Sequence, residues 1–376
     1  MSSGFTLRRL AVAPARAGLR GLVRARGRTW PPASRLFVVG EGTGWSVDED
    51  ARHLEAAARR LGYRVASSTW ARFAERQSVF LTSHFEGLTP RWLESSHGLG
   101  VAYMHGRPGT PGAPEFDSAF ETLRRRADRL ARVQVTHAEM HTLVLEAGVD
   151  PDRVFWIPLG VDLEHFAPGG PEPRRRARVA LGLPESAFVV GSFQKDGVGW
   201  GDGLEPKLIK GPDVLVAALE RLRDAVPELV VLLTGLARGY VRRELERRTI
   251  PHRHVRLRTR AELARAYHAL DVYVVSSRQE GGPKAALEAL AAGVPLVTTR
   301  VGQAQDVVEH GRNGLLVEVE DSEALAASAA RVAGEPTLAA SLRAAGRETA
   351  EAFALERLDP RWAELLDGFV SPRDGR

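Results

Sequence analysis

A chain of 376 residues with 44% hydrophobic and 26% charged side chains has the length of two globular domains, each large enough for its own core. It contains no cysteine, which excludes disulfides and thiolate metal sites, and no apolar run long enough to cross a bilayer. The net charge of +5 is local: the first 35 residues hold eight arginines and no acid, leaving 44 basic against 47 acidic residues elsewhere. The body is therefore not a basic nucleic-acid-binding surface.

Residues 1–34 are rich in Arg, Ala, Gly and Pro. The segment Phe5 to Val23 has the makings of a basic amphipathic helix lying on anionic lipid; a disordered tail is the alternative. The cleavage site of a secretory signal is missing. A first domain is expected over 35–167. Leu36 to Gly40 reads as its first strand and Val47 to Leu61 as a helix with Ser46 as cap. Between them runs Gly40-Glu41-Gly42-Thr43-Gly44-Trp45. The third glycine of a dinucleotide fingerprint would fall at Trp45, so that motif fails.

Further strands are expected at Tyr63 to Ala66, Ser78 to Thr82, Gly100 to Met104, Val133 to Thr136 and Val154 to Ile157. Helical segments lie between most of them, so the pattern is βαβ and the sheet parallel. His105 follows the third of these strands and points to the cleft, where a neutral imidazole can hydrogen-bond a polar ligand; a structural histidine is the other reading. A second domain over 168–354 opens with strand Phe188 to Ser192. A glycine-rich loop follows, with Lys195, Lys207 and Lys210, and then a helix from Pro212 to Ala225. Strands at Leu229 to Thr234 and Val255 to Leu257 come next. Alanine-rich helices span Ala324 to Phe353, and a last helix Leu355 to Phe369.

The most informative stretch is Ser276 to Thr299, SSRQEGGPKAALEALAAGVPLVTT. Asp271 to Val275 before it is an apolar, β-prone run, expected as a buried parallel strand. Pro283 fits the first helical position and Gly293 the helix end. Glu280 then lies at the carboxyl end of a strand, where open α/β sheets bind ligands, and Glu288 lies roughly 8–12 Å further along the helix. Between them, helix N–H groups backed by Gly281 and Gly282 favour an anion. Two carboxylates flanking an anion site suit a sugar nucleotide, with hydroxyls at both ends and a diphosphate between.

Glu280, seven residues and Glu288, followed by EALAAGVPLVTT and HGRNGLLV, resemble the signature of the family-four retaining glycosyltransferases (group 1 type). The resemblance is strong over 154–320 and looser over 36–153. It implies a GT-B architecture: two Rossmann-like α/β/α domains facing a cleft, acceptor side first and donor nucleotide second, with the last helix (355–376) crossing back. It implies that Glu280 contacts the donor sugar, Glu288 the ribose, and Lys195 and Lys210 the diphosphate, with Lys207 able to replace either because the loop is long. Gly42 and Gly44 would approach donor phosphates or acceptor. The linker Ile157-Pro158-Leu159-Gly160-Val161-Asp162 matches the family, except that Leu159 stands where asparagine is usual; Asp162 fixes a turn.

The expected activity is retaining transfer of a hexose-type sugar from a UDP- or GDP-sugar to a hydroxyl of a glycan, lipid-linked or small-molecule acceptor. No permanent cofactor and no metal are expected. The resemblance points to a bacterial enzyme of cell-envelope or polysaccharide synthesis, cytoplasmic and in peripheral membrane contact through residues 1–34. Two other classes compete: a nucleotide-dependent oxidoreductase, disfavoured by the broken fingerprint, and a non-catalytic sugar-nucleotide or glycan-binding protein on the same fold.

Overall fold

The computed structural model describes residues 34–42, 46–67, 71 and 75–372; the tail expected to meet lipid and Gly44 lie outside them. Two six-stranded sheets, parallel at every pairing, form the two lobes. In the first lobe β1 (Leu36–Val39), β2 (Val65–Ser67), β3 (Ser78–Leu81), β4 (Gly98–Ala102), β5 (Leu130–Val135) and β6 (Val154–Trp156) are ordered β2-β1-β3-β4-β5-β6. The second holds β7 (Phe188–Ser192), β8 (Leu229–Thr234), β9 (His252–Val255), β10 (Val272–Val275), β11 (Leu296–Thr299) and β12 (Leu315–Val317), ordered β12-β11-β10-β7-β8-β9.

Both orders are doubly wound, and the switch point of the second lies between β7 and β10. Chain direction reverses its lateral progress there, which leaves a crevice outside the carboxyl ends of those two strands. Both strands are apolar and buried along most of their length, as strands covered on both faces must be. The loops leaving them carry Lys195 and Glu280.

Several boundaries differ from the sequence expectation, each for a local reason. β9 starts three residues early, at His252, because Val231 pairs with His252 and Thr234 with Val255; Leu257 and Arg258 form the turn beyond. β4 starts at Gly98, since Ser78 pairs with Gly98. The alanine-rich segment is two helices, Ser322–Gly334 and Pro336–Ala352, because Pro336 cannot continue the first. The last helix is also divided, into a 3₁₀ turn Leu355–Leu358 and a helix Asp359–Leu366 with Pro360 in its first turn.

That terminal segment packs on the first sheet. Leu358, Trp362, Leu365, Leu366 and Phe369 join Leu36, Val38, Leu54 and Phe80 in one core. Trp362 meets Phe80 edge-on at 6.1 Å between centroids, and Asp359 takes a bidentate pair from Arg60, 2.7 Å on each arm. Among the described residues no helix is long and apolar enough to cross a membrane.

Trp362→Ala should remove about 3–5 kcal/mol, the usual cost of emptying a large buried aromatic site. Denaturant unfolding followed on the first lobe measures it; a loss below about 1 kcal/mol would mean that the returning helix does not hold that lobe.

Candidate active-site cleft

A cleft of about 660 Å³ opens between the lobes at the β7/β10 switch point. Its floor is built by two short segments. After β10, Ser277 and Glu280 sit in a tight loop: Ser277 Oγ donates to Glu280 Oε1 at 2.8 Å. After the long loop that follows β7, the 3₁₀ turn Leu208–Lys210 ends at Gly211, which has φ +58°. A Cβ on Gly211 would stand 1.9 Å from the Ser276 carbonyl oxygen, so glycine is required for the two segments to touch. Their contact delivers Lys210 Nζ to Glu280 Oε2 at 2.6 Å.

The pair is satisfied without being saturated. Lys210 has three N–H donors and Glu280 engages one; each Glu280 oxygen has accepted one hydrogen bond and keeps a lone pair. Ammonium and carboxylate thus fix each other while both remain able to bind a ligand. Lys207 lies close enough to interact with both Lys210 and Lys195, and burial, then Lys210 and Lys195, hold its ammonium below its usual pKa. Burial lowers Lys195 as well. All three line the cleft.

Glu288 is at the other end of the wall, buried on the helix Lys284–Ala291. The expected first helical residue, Pro283, is instead the residue before the helix, because its ψ of 93° is extended. Tyr267 OH donates to Glu288 Oε2 at 2.8 Å. Burial raises the Glu288 pKa, opposed by Tyr267, Arg260 and Lys284 in that order. Arg260 and Tyr267 are set by one short helix, Arg260–Tyr267, whose start is fixed by a capping box between Thr259 and Glu262.

From the first lobe, His105 enters between the rings of His84, Phe85 and Phe116, with centroids 5.5–5.6 Å away. Its pKa is pushed down to about 3, first by burial and then by Lys210, Lys207 and His137. The imidazole is therefore neutral at ordinary pH and faces the lysines. Gly282 lines the cleft, and both Gly281 and Gly282 also meet a steric demand. A Cβ on Gly281 would stand 2.7 Å from Met104, and one on Gly282 2.7 Å from Leu159; these glycines are needed where the lobes meet. Thr136 Oγ1 donates to the Gly281 carbonyl at 2.8 Å across that seam. Gly42 is exposed, and its N–H donates to Asp48 Oδ1 at 2.8 Å; Glu41, its neighbour, lines the cleft instead.

Two groups were missed in the sequence. Lys284 pairs with Asp50 at 2.6 Å and Glu49 at 3.4 Å from the first lobe, and Arg260 also pairs with Glu49. Lys284 sits inside the Glu280–Glu288 motif, and that position was the available signal. For Arg260 the sequence offered its place in the turn Arg258-Thr259-Arg260 after a strand, near which the resemblance puts base binding, and within the Thr259-x-x-Glu262 capping box. Counting these, seven cations and four carboxylates line the cleft among the described residues, a positive excess that suits an anionic ligand.

Comparison with known proteins defines the class first. The fold is GT-B: the structure of HepE from Anabaena in complex with UDP-glucose superposes with a TM-score of 0.71 at 18% identity, covering 89% of this chain and 99% of that one. WaaG, a glycosyltransferase involved in lipopolysaccharide biosynthesis, gives 0.69 at 15% identity over 89% and 100%. Residues 203–335, which lie in the second lobe, match the family model described as Glycosyl transferases group 1. Curated relatives include D-inositol 3-phosphate glycosyltransferase 1 of Catenulispora acidiphila, 32% identical over 305 residues, 74% of this chain and 65% of the relative. The D-inositol 3-phosphate glycosyltransferase of Saccharomonospora viridis is 36% identical over 253 residues, 63% of this chain and 54% of the relative. The chain spans between about half and two thirds of the length of these relatives.

The neutral His105 makes stability depend on pH with a defined sign. The unfolded chain takes up the proton near 6.5 and the folded one only near 3, so this contribution is present at neutral pH and is lost as pH falls between those values. Unfolding midpoints of wild type and His105→Gln at pH 7.5 and 5.0 measure it, and the variant should lose less stability over that interval. An equal loss in both would mean that His105 is solvated.

Proposed function

We propose that the protein is a retaining glycosyltransferase that moves a hexose-type sugar from a nucleoside diphosphate sugar to a hydroxyl acceptor. The observation that carries this reading is the Lys210–Glu280 pair at the β7/β10 switch point, with Glu288 at the far end of the same cleft. The positive excess suits a diphosphate, and the two carboxylates suit hydroxyls on either side of it. A UDP-sugar is the first donor to test, because HepE, on the same fold, was crystallised with UDP-glucose.

In this mechanism Glu280 accepts hydrogen bonds from sugar hydroxyls and Glu288 from the ribose. As the glycosidic bond breaks, its electron pair passes to the diphosphate oxygen. The two N–H donors left on Lys210, with Lys195 and Lys207, stabilise the charge growing there. His105, neutral, offers the hexose or acceptor a hydrogen bond without adding charge beside the lysines. The acceptor hydroxyl attacks from the leaving-group face and gives its proton to a phosphate oxygen. The first lobe would supply the acceptor surface, and the basic segment 1–34 would add salt-dependent attraction to anionic lipid if the acceptor is lipid-linked.

Lys210→Ala should lower turnover on the order of 10²–10³ while changing donor KM much less, because the ammonium meets more charge in the transition state than in the ground state. Lys207→Ala is the comparison. Release of nucleoside diphosphate from a UDP-sugar, followed as kcat and KM, decides between them; turnover lost in Lys207→Ala and kept in Lys210→Ala would assign the diphosphate contact to Lys207.

Glu288→Ala should weaken UDP-sugar binding by about 1–3 kcal/mol, the range for hydrogen bonds to a charged group. Calorimetric titration of the folded variant checks this, and unchanged affinity would remove Glu288 from the donor site. Donor binding with no turnover on any acceptor would instead favour a sugar-nucleotide-binding protein.

A further inference from the structure

The loop between β7 and Lys210 contains a device that the donor reading does not use. It folds into a small hairpin: Lys207 N–H donates to the Asp196 carbonyl at 2.8 Å, Val198 N–H donates to the Glu205 carbonyl at 2.9 Å, and Gly197 bridges to Pro206. The stem is clamped. Asp196 and Arg238, both fully buried, pair at 2.9 Å, and a Cβ on Gly203 would stand 2.5 Å from the Ala237 backbone.

The tip is the opposite. Positions 199 and 201 are glycines with no heavy atom within 4 Å of where a Cβ would stand. Trp200 between them is 59% exposed, although it lines the cleft. Its ring faces a specific group: Lys195 Nζ lies 4.9 Å from the ring centroid. A rigid stem thus presents one aromatic face to an ammonium at the mouth of the cleft. An exposed cation–π contact shifts an equilibrium by a factor of about two to five. It is strong enough to restrict a flexible lysine.

We propose that Trp200 is a positioning residue for Lys195, holding its ammonium over the cleft in the place where it meets a nucleoside diphosphate and keeping it there in the complex. The inference rests on the donor reading above and adds the residue that organises one of its cations. Lys195 sits on a four-carbon stem with several free torsions. Restricting them before the ligand arrives lowers the ordering cost of binding.

The test uses the full chain, UDP as probe, and the variants Trp200→Phe, Trp200→Leu, Lys195→Ala and the Trp200→Leu/Lys195→Ala double variant. Calorimetric UDP affinity should fall about two- to fivefold in Trp200→Leu and stay within about twofold of wild type in Trp200→Phe, which keeps a ring face. Trp200→Leu should cost nothing further in the Lys195→Ala background. The Lys195 ε-methylene protons, shifted upfield by the ring in wild type, should move downfield in Trp200→Leu and stay shifted upfield when UDP is added to wild type. An equal affinity loss in both backgrounds would overturn the proposal, because the ring would then act independently of Lys195. So would ε-methylene resonances that Trp200→Leu leaves unmoved. Wild type that binds no nucleoside diphosphate would overturn the donor reading and the positioning role together. Failure of the ring–ammonium pair alone leaves UDP binding intact, so the two outcomes are distinct.

Discussion

Positive charge gathered where water has limited access is the constraint around which this molecule is arranged. Lys195, Lys207 and Lys210 come from one loop and share one end of the cleft, and burial together with mutual repulsion disfavours the ammonium form of Lys207. Such a cluster persists in a folded protein only if the surrounding structure holds it together. Here the hold is specific. Lys210 is tied to Glu280, Glu280 to Ser277, and the two segments touch through a backbone contact that admits no side chain at Gly211. Much of the architecture behind the cleft, from the buried Asp196–Arg238 pair to the doubly wound strand order, keeps these groups in place.

The sequence revealed the second lobe better than the first, and the reasons are physical. β7, β8 and the Pro212–Ala225 helix occupy the expected residues. Their apolar patterns are continuous, and Pro212 begins the helix at a position where its missing N–H costs nothing. β9 was misplaced because His252-Arg253-His254 looks solvated, as an edge strand is. The glutamate pair and the lysines were visible as motif residues, but what each touches was not. The Lys210–Glu280 contact joins residues 70 apart, and no local pattern encodes it.

The second half of the site was less legible still. Arg260 and Lys284 acquire their meaning from Glu49 and Asp50, more than 200 residues earlier, so only the assembled lobes bring those four together. Gly281 and Gly282 show the reverse case, in which the residues were singled out and a second physical task went unseen. A glycine pair before a helix suggests backbone N–H groups open to an anion. In the folded chain there is also a steric demand, set by Met104 and Leu159.

That seam also fixes the geometry of the opening. The lobes approach each other over two α-carbons that carry only hydrogen, so the gauge of the aperture is set by carbon the chain leaves out. Any side chain at either position would act as a wedge, prising apart the walls that bear Glu280 and His105. Two of the smallest residues in the protein therefore set how closely the loop that bears Glu280 approaches Met104 and Leu159.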